Sequence, residues 1–316
     1  MKKHKSKWIK IVGYWLAGIY LFLLVALMIA DRFIQYRSSD EEILRYYTSR
    51  SLPIGINYYE SGGRSMRYLS TGNDPGKPIF FLIHGAPSSS SYYRHFLSDT
   101  NLRKAANLIA VDRPGYGYSG FGEPEPDMGK QAAMIVPILD SLNRGSRPII
   151  LVAASYGTSI ASRIAMDYPR MVDGLLLVAP SLAPGEEKTY YASYLLESPF
   201  FTWAQPRMLH SANVEKFSHK EELEKMKNRW SEIEAPVIYI QGENDDLIYP
   251  TNAIFAKKHI TNTNYLSVRM LPNRGHLLVF KEEKRIKRAM YEMMGLSEIF
   301  YASRQLHQER WQAVVK

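Results

Sequence analysis

The stretch "ILVAASYGTSIAS", Ile150–Ser162, decides how this chain is read. Its apolar first half reads as a buried strand and its second half as a helix, with Ser155 at the join. A sharp turn there would lift the Ser155 hydroxyl above a sheet edge, as in the G-x-S-x-G nucleophile elbow. The pattern is incomplete, because Ala153 stands where the first glycine belongs and only Gly157 supplies the second. Strand and helix backbones pass close together at these two positions, so the physical requirement is smallness. Gly157 meets it fully and Ala153 meets it with one methyl group. Taken alone, Ser155 reads as a helix N-cap at least as well as a nucleophile, so its surroundings must decide.

Those surroundings are a series of short apolar runs, each ending in residues that can do chemistry. "IFFLI", Ile79–Ile83, runs into His84-Gly85-Ala86-Pro87. The glycine lets backbone approach a ligand closely, and the N–H groups of Ala86 and Tyr156 are candidates for an oxyanion hole. Ala86-Pro87 is a candidate cis bond, and His84 is expected to brace the loop. "DRPGYGYS", Asp112–Ser119, follows the run Leu108–Val111, and Asp112 is expected to brace its turn by hydrogen bonding. "QGENDD" follows the run Val237–Ile240 and offers Asp245 or Asp246 as an acid to orient a histidine. "LPNRGH" follows the run Tyr265–Met270 and supplies His276. His210, His219, His259 and His307 lack such a setting and are expected to be solvated or structural. The order Ser155, acid, His276 is the Ser…Asp/Glu…His order of α/β-hydrolases.

With H-G-x-P, D-x-P-G-x-G-x-S, small-x-S-x-G, G-x-x-D and G-H in this order at strand ends, the chain resembles the α/β-hydrolase-fold superfamily over about residues 53–295. The resemblance implies the serine-nucleophile branch, with Ser155 as nucleophile, His276 as base and Asp245, three residues after Gly242, as the acid. The proline that often follows stands one position later, at Pro250, which keeps Asp246 as an alternative acid. Some relatives carry the acid one strand earlier, but here that strand end reads "LLLVAPSLAP" and has none. Relatives with an aspartate nucleophile, such as haloalkane dehalogenases and epoxide hydrolases, are disfavoured by serine at 155. No metal and no cofactor is required for the implied chemistry.

Composition sets the frame for this reading. The chain has 316 residues, 46% hydrophobic and 22% charged, enough for one large α/β core. It has no cysteine, which excludes disulfide scaffolds, cysteine nucleophiles and cysteine-rich zinc sites. Of the formal charge of +9, five units come from Lys2, Lys3, Lys5, Lys7 and Lys10. No stripe of basic residues interleaves with aromatics, so no nucleic-acid partner is expected.

Between Lys10 and Asp31 lie twenty uncharged residues, "IVGYWLAGIYLFLLVALMIA". As a helix they extend about 30 Å, the thickness of a bilayer core. Trp8, Tyr14 and Trp15 stand near one end, where interfacial aromatics are favoured. A cleaved signal would have a shorter apolar region and an A-x-A-like site, which Met28-Ile29-Ala30 matches poorly. The segment therefore reads as a transmembrane anchor, 11–30, behind a basic N-terminus, 1–10. The lysines favour a cytoplasmic N-terminus and an extracytoplasmic domain.

Residues 31–52 read as a polar linker with some helical character. The hydrolase domain, 53–295, opens with a hairpin signal at Gly62-Gly63 and continues as strands alternating with helices, such as Met128–Leu142. This alternation implies a mostly parallel sheet with helices on both faces. About residues 184–235 lack a strand signal and carry Tyr190, Tyr191, Tyr194, Phe200, Phe201 and Trp203. They are expected to form a helical cap, most of whose aromatics pack it onto the body while a few face a pocket. A C-terminal helical tail, 296–316, contains Ile299, Phe300, Leu306 and Trp311 and is expected to pack on the domain.

The expected function is a membrane-anchored serine hydrolase acting on a small lipophilic acyl compound, such as a small acylglycerol. Acyl transfer through the same residues, and a non-catalytic membrane-tethered binding protein, are the alternatives.

Overall fold

The computed structural model describes residues 2–142 and 147–315, with side chains described for 7–142 and 147–307. The side chains of Lys2, Lys3, Lys5 and Trp311 lie outside that range.

Eight strands form one sheet: β1 (Gly55–Ser61), β2 (Arg64–Ser70), β3 (Ile79–Ile83), β4 (Asn107–Val111), β5 (Ile149–Ala154), β6 (Gly174–Val178), β7 (Val237–Gly242) and β8 (Leu266–Leu271). The strand order is β1-β2-β4-β3-β5-β6-β7-β8. β1 and β2 pair antiparallel across Gly62 and Gly63, both at positive φ, and β2 pairs antiparallel with β4. From β4 to β8 all pairs are parallel.

Parallel strands buried on both faces need continuous apolar runs rather than alternation, and β3, β5 and β6 are buried at every position. The two-residue period then sends Ile79, Phe81 and Ile83 into one apolar layer and Phe80 and Leu82 into the other. Chain order reverses at β3, which is flanked by β4 and β5. A crevice opens outside the carboxyl ends of the strands at such a reversal, and ligands bind there.

The helices are α1 (Lys2–Ala30), α2 (Asp40–Thr48), α3 (Arg94–Leu97), α4 (Thr100–Ala105), α5 (Met128–Leu142), α6 (Gly157–Asp167), α7 (Tyr191–Glu197), α8 (Arg207–Met226), α9 (Thr251–His259), α10 (Leu278–Lys281) and α11 (Glu283–Val315). In α1, Lys7–Ala30 is apolar and long enough to cross a membrane. Between β6 and β7 the chain leaves the sheet and forms α7 and α8 before a short 3-10 turn at Trp230–Glu232. Trp230 and Ile233 are already part of the body's core.

The stretch 31–52, expected as a polar linker with some helical character, contains α2, which starts with a capping box between Ser39 and Glu42. Ile43 and Tyr47, four residues apart, bury one face of α2 in the core. The expected boundary at 295 falls inside α11. This helix continues without a break, and Ile286, Ala289, Met290 and Met293 are buried against the sheet.

Candidate active site

β5 delivers Ser155 to the crevice. The residue has φ 52°, a left-handed conformation that costs a non-glycine side chain about 1–3 kcal/mol. The strain comes from the reversal between β5 and α6: the Ser155 N–H still donates to Val178 O of the neighbouring strand at 2.9 Å, while α6 begins two residues later. Gly157 has to be glycine here, since a Cβ would lie 2.5 Å from His84 O and 2.6 Å from Ile83 O, both backbone atoms. Ala153 is fully buried between its strand partners Ile83 and Leu177, so the methyl group is accommodated within the sheet.

β7 and β8 bring the other two groups. Asp245 follows Gly242, which lies so close to the Arg274 carbonyl that no side chain would fit. Asp245 Oδ1 accepts from the N–H groups of Leu247 (3.1 Å) and Ile248 (2.9 Å). Its Oδ2 lies 2.9 Å from His276 Nδ1, and His276 Nε2 lies 3.0 Å from Ser155 Oγ. The Asp245 carboxylate is fully buried, while the His276 side chain is 15% exposed. The alternative acid, Asp246, points into solvent, 78% exposed, with Lys188 Nζ 3.9 Å away.

The two expected oxyanion donors flank Ser155. Gly85 packs so tightly on it that a Cβ there would lie 2.8 Å from Ser155 Cβ. The next residue is Ala86, joined to Pro87 by a cis bond. Among the described residues, the N–H groups of Ala86 and Tyr156 donate to no protein acceptor. Both residues line the cavity at Ser155.

His84 is fully buried, and burial, with Arg113 nearby, pushes its imidazole well below its usual pKa. Its Nε2 accepts from the Arg113 N–H at 3.1 Å and its Nδ1 lies 2.7 Å from Gly85 O. The ring braces the loop and lies outside the Ser155–His276–Asp245 chain of hydrogen bonds. Asp112 likewise accepts from Arg67 Nε, the Ser90 N–H and the Tyr118 N–H.

Sequence reading missed a buried assembly behind this loop. Arg113, fully buried, donates to His84 O (2.8 Å), Gly85 O (3.1 Å) and Gln131 Oε1 (2.8 Å). It also pairs through two nitrogens with Glu215 of α8, at 2.5 and 3.0 Å. Tyr116 Oη and Gln131 Nε2 complete the coordination of Glu215. One cation thus ties the loop before Ala86 to α8. Arg113 stands in the "DRPG" stretch, but nothing local to Glu215 in "SANVEKFSHK", residues 211–220, announces its burial.

The cavity above Ser155 has a volume of about 460 Å³. Leu209, Ala212, Leu247, Ile248 and Leu277 give it apolar walls, and Glu187, Lys188, Asn213 and Lys216 give it a polar side. Burial opposes the charge on Glu187, but His219 and Lys216 beside it outweigh that and hold its carboxyl at about 2. Lys216 Nζ is 2.7 Å from Glu187. His219 is buried, with Nε2 3.1 Å from Ser159 Oγ. Among the described residues no cluster of three or more His, Asp or Glu side chains is arranged to hold a metal ion.

The alpha/beta hydrolase family profile matches residues 80–287. A haloalkane dehalogenase from Bradyrhizobium diazoefficiens is 33% identical over 129 residues, 40% of this chain and 39% of that protein. A monoacylglycerol lipase from Rattus norvegicus is 22% identical over 321 residues, 89% of this chain and 94% of that protein. The matches to the first curated relatives span less than half of those proteins' lengths. Among solved structures, a putative lipase from Acinetobacter baumannii superposes with a TM-score of 0.62 at 20% identity, covering 83% of this chain and 97% of that one. A membrane phospholipase A superposes with a TM-score of 0.59 at 18% identity, covering 94% and 99%. The chain belongs to the alpha/beta hydrolase family.

Proposed function

We propose that the protein is a membrane-anchored serine hydrolase that cleaves a lipophilic carboxylic ester through Ser155, His276 and Asp245. The observation that carries this reading is the continuous series of hydrogen bonds from Asp245 through His276 to a serine held at positive φ. As Ser155 Oγ attacks the acyl carbon, His276 Nε2 takes its proton, and Asp245 holds the Nδ1–H and stabilises the imidazolium. The N–H groups of Ala86 and Tyr156 receive the developing oxyanion. His276 then returns the proton to the departing alkoxide, leaving an acyl group on Ser155. Water, deprotonated by His276, attacks that acyl carbon; the acid leaves and the proton returns to Ser155.

Serine at 155 favours ester cleavage over the chemistry that gives haloalkane dehalogenases their name. The apolar walls of the cavity and the lengthwise similarity to a monoacylglycerol lipase favour an acyl chain in the substrate. The apolar α1 serves as anchor in this proposal, with its N-terminus cytoplasmic and the domain, including the cap at about 184–235, outside the cytoplasm.

Fluorophosphonate labelling and turnover of aryl esters of graded chain length test the reading. Ser155→Ala should lose both. Labelling that survives this substitution, or ester turnover that does, refutes the assignment. Protease digestion of sealed vesicles tests orientation, since a domain shielded on the cytoplasmic side contradicts it.

A further inference from the structure

The cap meets the anchor helix, and this contact has a consequence for where the cap lies. In the second half of α1, Tyr20, Leu24, Leu27 and Ala30 are turned from full exposure, the first three at the i, i+4, i+7 spacing of one helix face. Tyr20 Oη donates to Phe200 O at 2.8 Å, and its ring meets that of Phe201 edge-on at 5.6 Å. Eleven residues further on, Asp31 accepts two nitrogens of Arg207 and its backbone N–H, which fixes the angle at which α1 leaves the cap. Eleven residues correspond to about 16 Å along α1. A bilayer that covers α1 up to its end at Ala30 therefore also covers cap residues held beside Tyr20.

The cap is built for such surroundings. Tyr191 is 94% exposed, Phe200 67% and Trp203 62%, and Tyr194 and Leu195 are exposed between them. Between Thr189 and Pro206 the single charged residue is Glu197, which is turned partly inward. On α1 the neighbouring Leu21, Phe22, Val25 and Met28 are exposed too, so helix and cap share one apolar surface. The tyrosines and tryptophan in it are residue types that suit the headgroup boundary. A surface patch of this extent marks an interaction site.

We propose that the cap segment Tyr191–Trp203 is a second membrane-contact surface, immersed in the leaflet that holds the second half of α1. Its partner is the phospholipid bilayer itself. The proposal rests on reading α1 as a membrane anchor, and it gives the proposed hydrolase a route for substrate. Tyr190, immediately before this segment, and Ser193 within it line the Ser155 cavity, so an acyl chain passes from the leaflet to Ser155 without crossing water.

The cysteine-free chain makes the test direct. Single cysteines replace residues of the full-length protein: Phe200→Cys and Trp203→Cys in the cap, Leu16→Cys in the anchor and Ile254→Cys, exposed on α9, as a solvent reference. Each carries a small fluorophore in phosphatidylcholine–phosphatidylglycerol vesicles and is accepted only with an unchanged melting curve. Nitroxide-labelled lipids should quench the cap and anchor labels several-fold more than the Ile254→Cys label, and aqueous iodide should show the reverse. Cap labels that behave like Ile254→Cys while Leu16→Cys is lipid-quenched overturn the proposal and leave the anchor standing. Failure of the Leu16→Cys label to be lipid-quenched overturns the anchor and the proposal together. A phospholipid-embedded ester should also be turned over several-fold more slowly by Phe200→Ser/Trp203→Ser, with turnover of a short water-soluble ester retained. Equal loss on both esters refutes the route.

Discussion

Replacing Glu215 by leucine isolates what holds α8 to the loop beside Ser155. The carboxylate accepts four hydrogen bonds, two from Arg113 and one each from Tyr116 and Gln131. Leucine fills similar volume but accepts nothing, so a fully buried guanidinium loses its counter-charge. Breaking one side of a buried pair costs about 3–5 kcal/mol, most of it the uncompensated charge. At about 2 °C per kcal/mol for a chain of this size, the melting temperature should fall by about 6–10 °C. Arg113 also holds the carbonyls of His84 and Gly85. A displacement of about 1 Å at a catalytic donor costs about 10²-fold in rate, so kcat should fall even well below the transition. The assay is thermal unfolding of the full-length protein, with ester turnover measured in parallel. Adding Arg113→Met to Glu215→Leu removes the stranded charge, so the double variant should melt above the single one while remaining poorly active. A melting temperature within about 2 °C of the parent for Glu215→Leu, or a double variant less stable than the single, refutes the argument.

Further outcomes follow from the same geometry. Asp245→Asn should lower kcat by about 10⁴-fold, as loss of the orienting carboxylate does in a serine triad, whereas solvent-exposed Asp246→Asn should leave it unchanged; steady-state kinetics of the two decide between the acids. Gly157→Ala forces a methyl group against the His84 and Ile83 carbonyls, so fluorophosphonate labelling of Ser155 should collapse at a stability cost of about 1–3 kcal/mol. Glu187 has its folded pKa depressed from 4.5 to about 2, so its contribution is complete above the unfolded value and is lost as pH falls from 4.5 towards 2. That loss amounts to about 3 kcal/mol, and Glu187→Gln should flatten acid denaturation in that window. Finally, added alcohols should yield mainly free acid; predominant acyl transfer to the alcohol would support the alternative function.

Much of the site was legible because each group follows a recognisable apolar run. β3, β5 and β7 are buried on both faces, so their sequences are continuous hydrophobic stretches with visible ends, and Gly85, Ser155 and Asp245 stand just beyond them. β8 is only half-buried, yet Gly275-His276 marked its end. The segment 31–52 was less legible, since Ile43 and Tyr47 are one short apolar face in a charged stretch. The end of the domain was also obscured, because the apolar spacing of α11 fades before the helix itself does.

The sequence by itself determined the order of the elements, the strand-end positions of Ser155, Asp245 and His276, and the apolar character of α1. These are local properties, written in runs, periods and small residues. Only the tertiary structure decided that Asp245 rather than Asp246 faces His276, that Arg113 joins the loop before Ala86 to Glu215 of α8, and that Tyr20 of α1 lies against Phe200 and Phe201. Each of these depends on residues about 30 to 180 positions apart in the chain, and a one-dimensional pattern carries no sign of which distant partner will satisfy a buried charge or cover an aromatic ring.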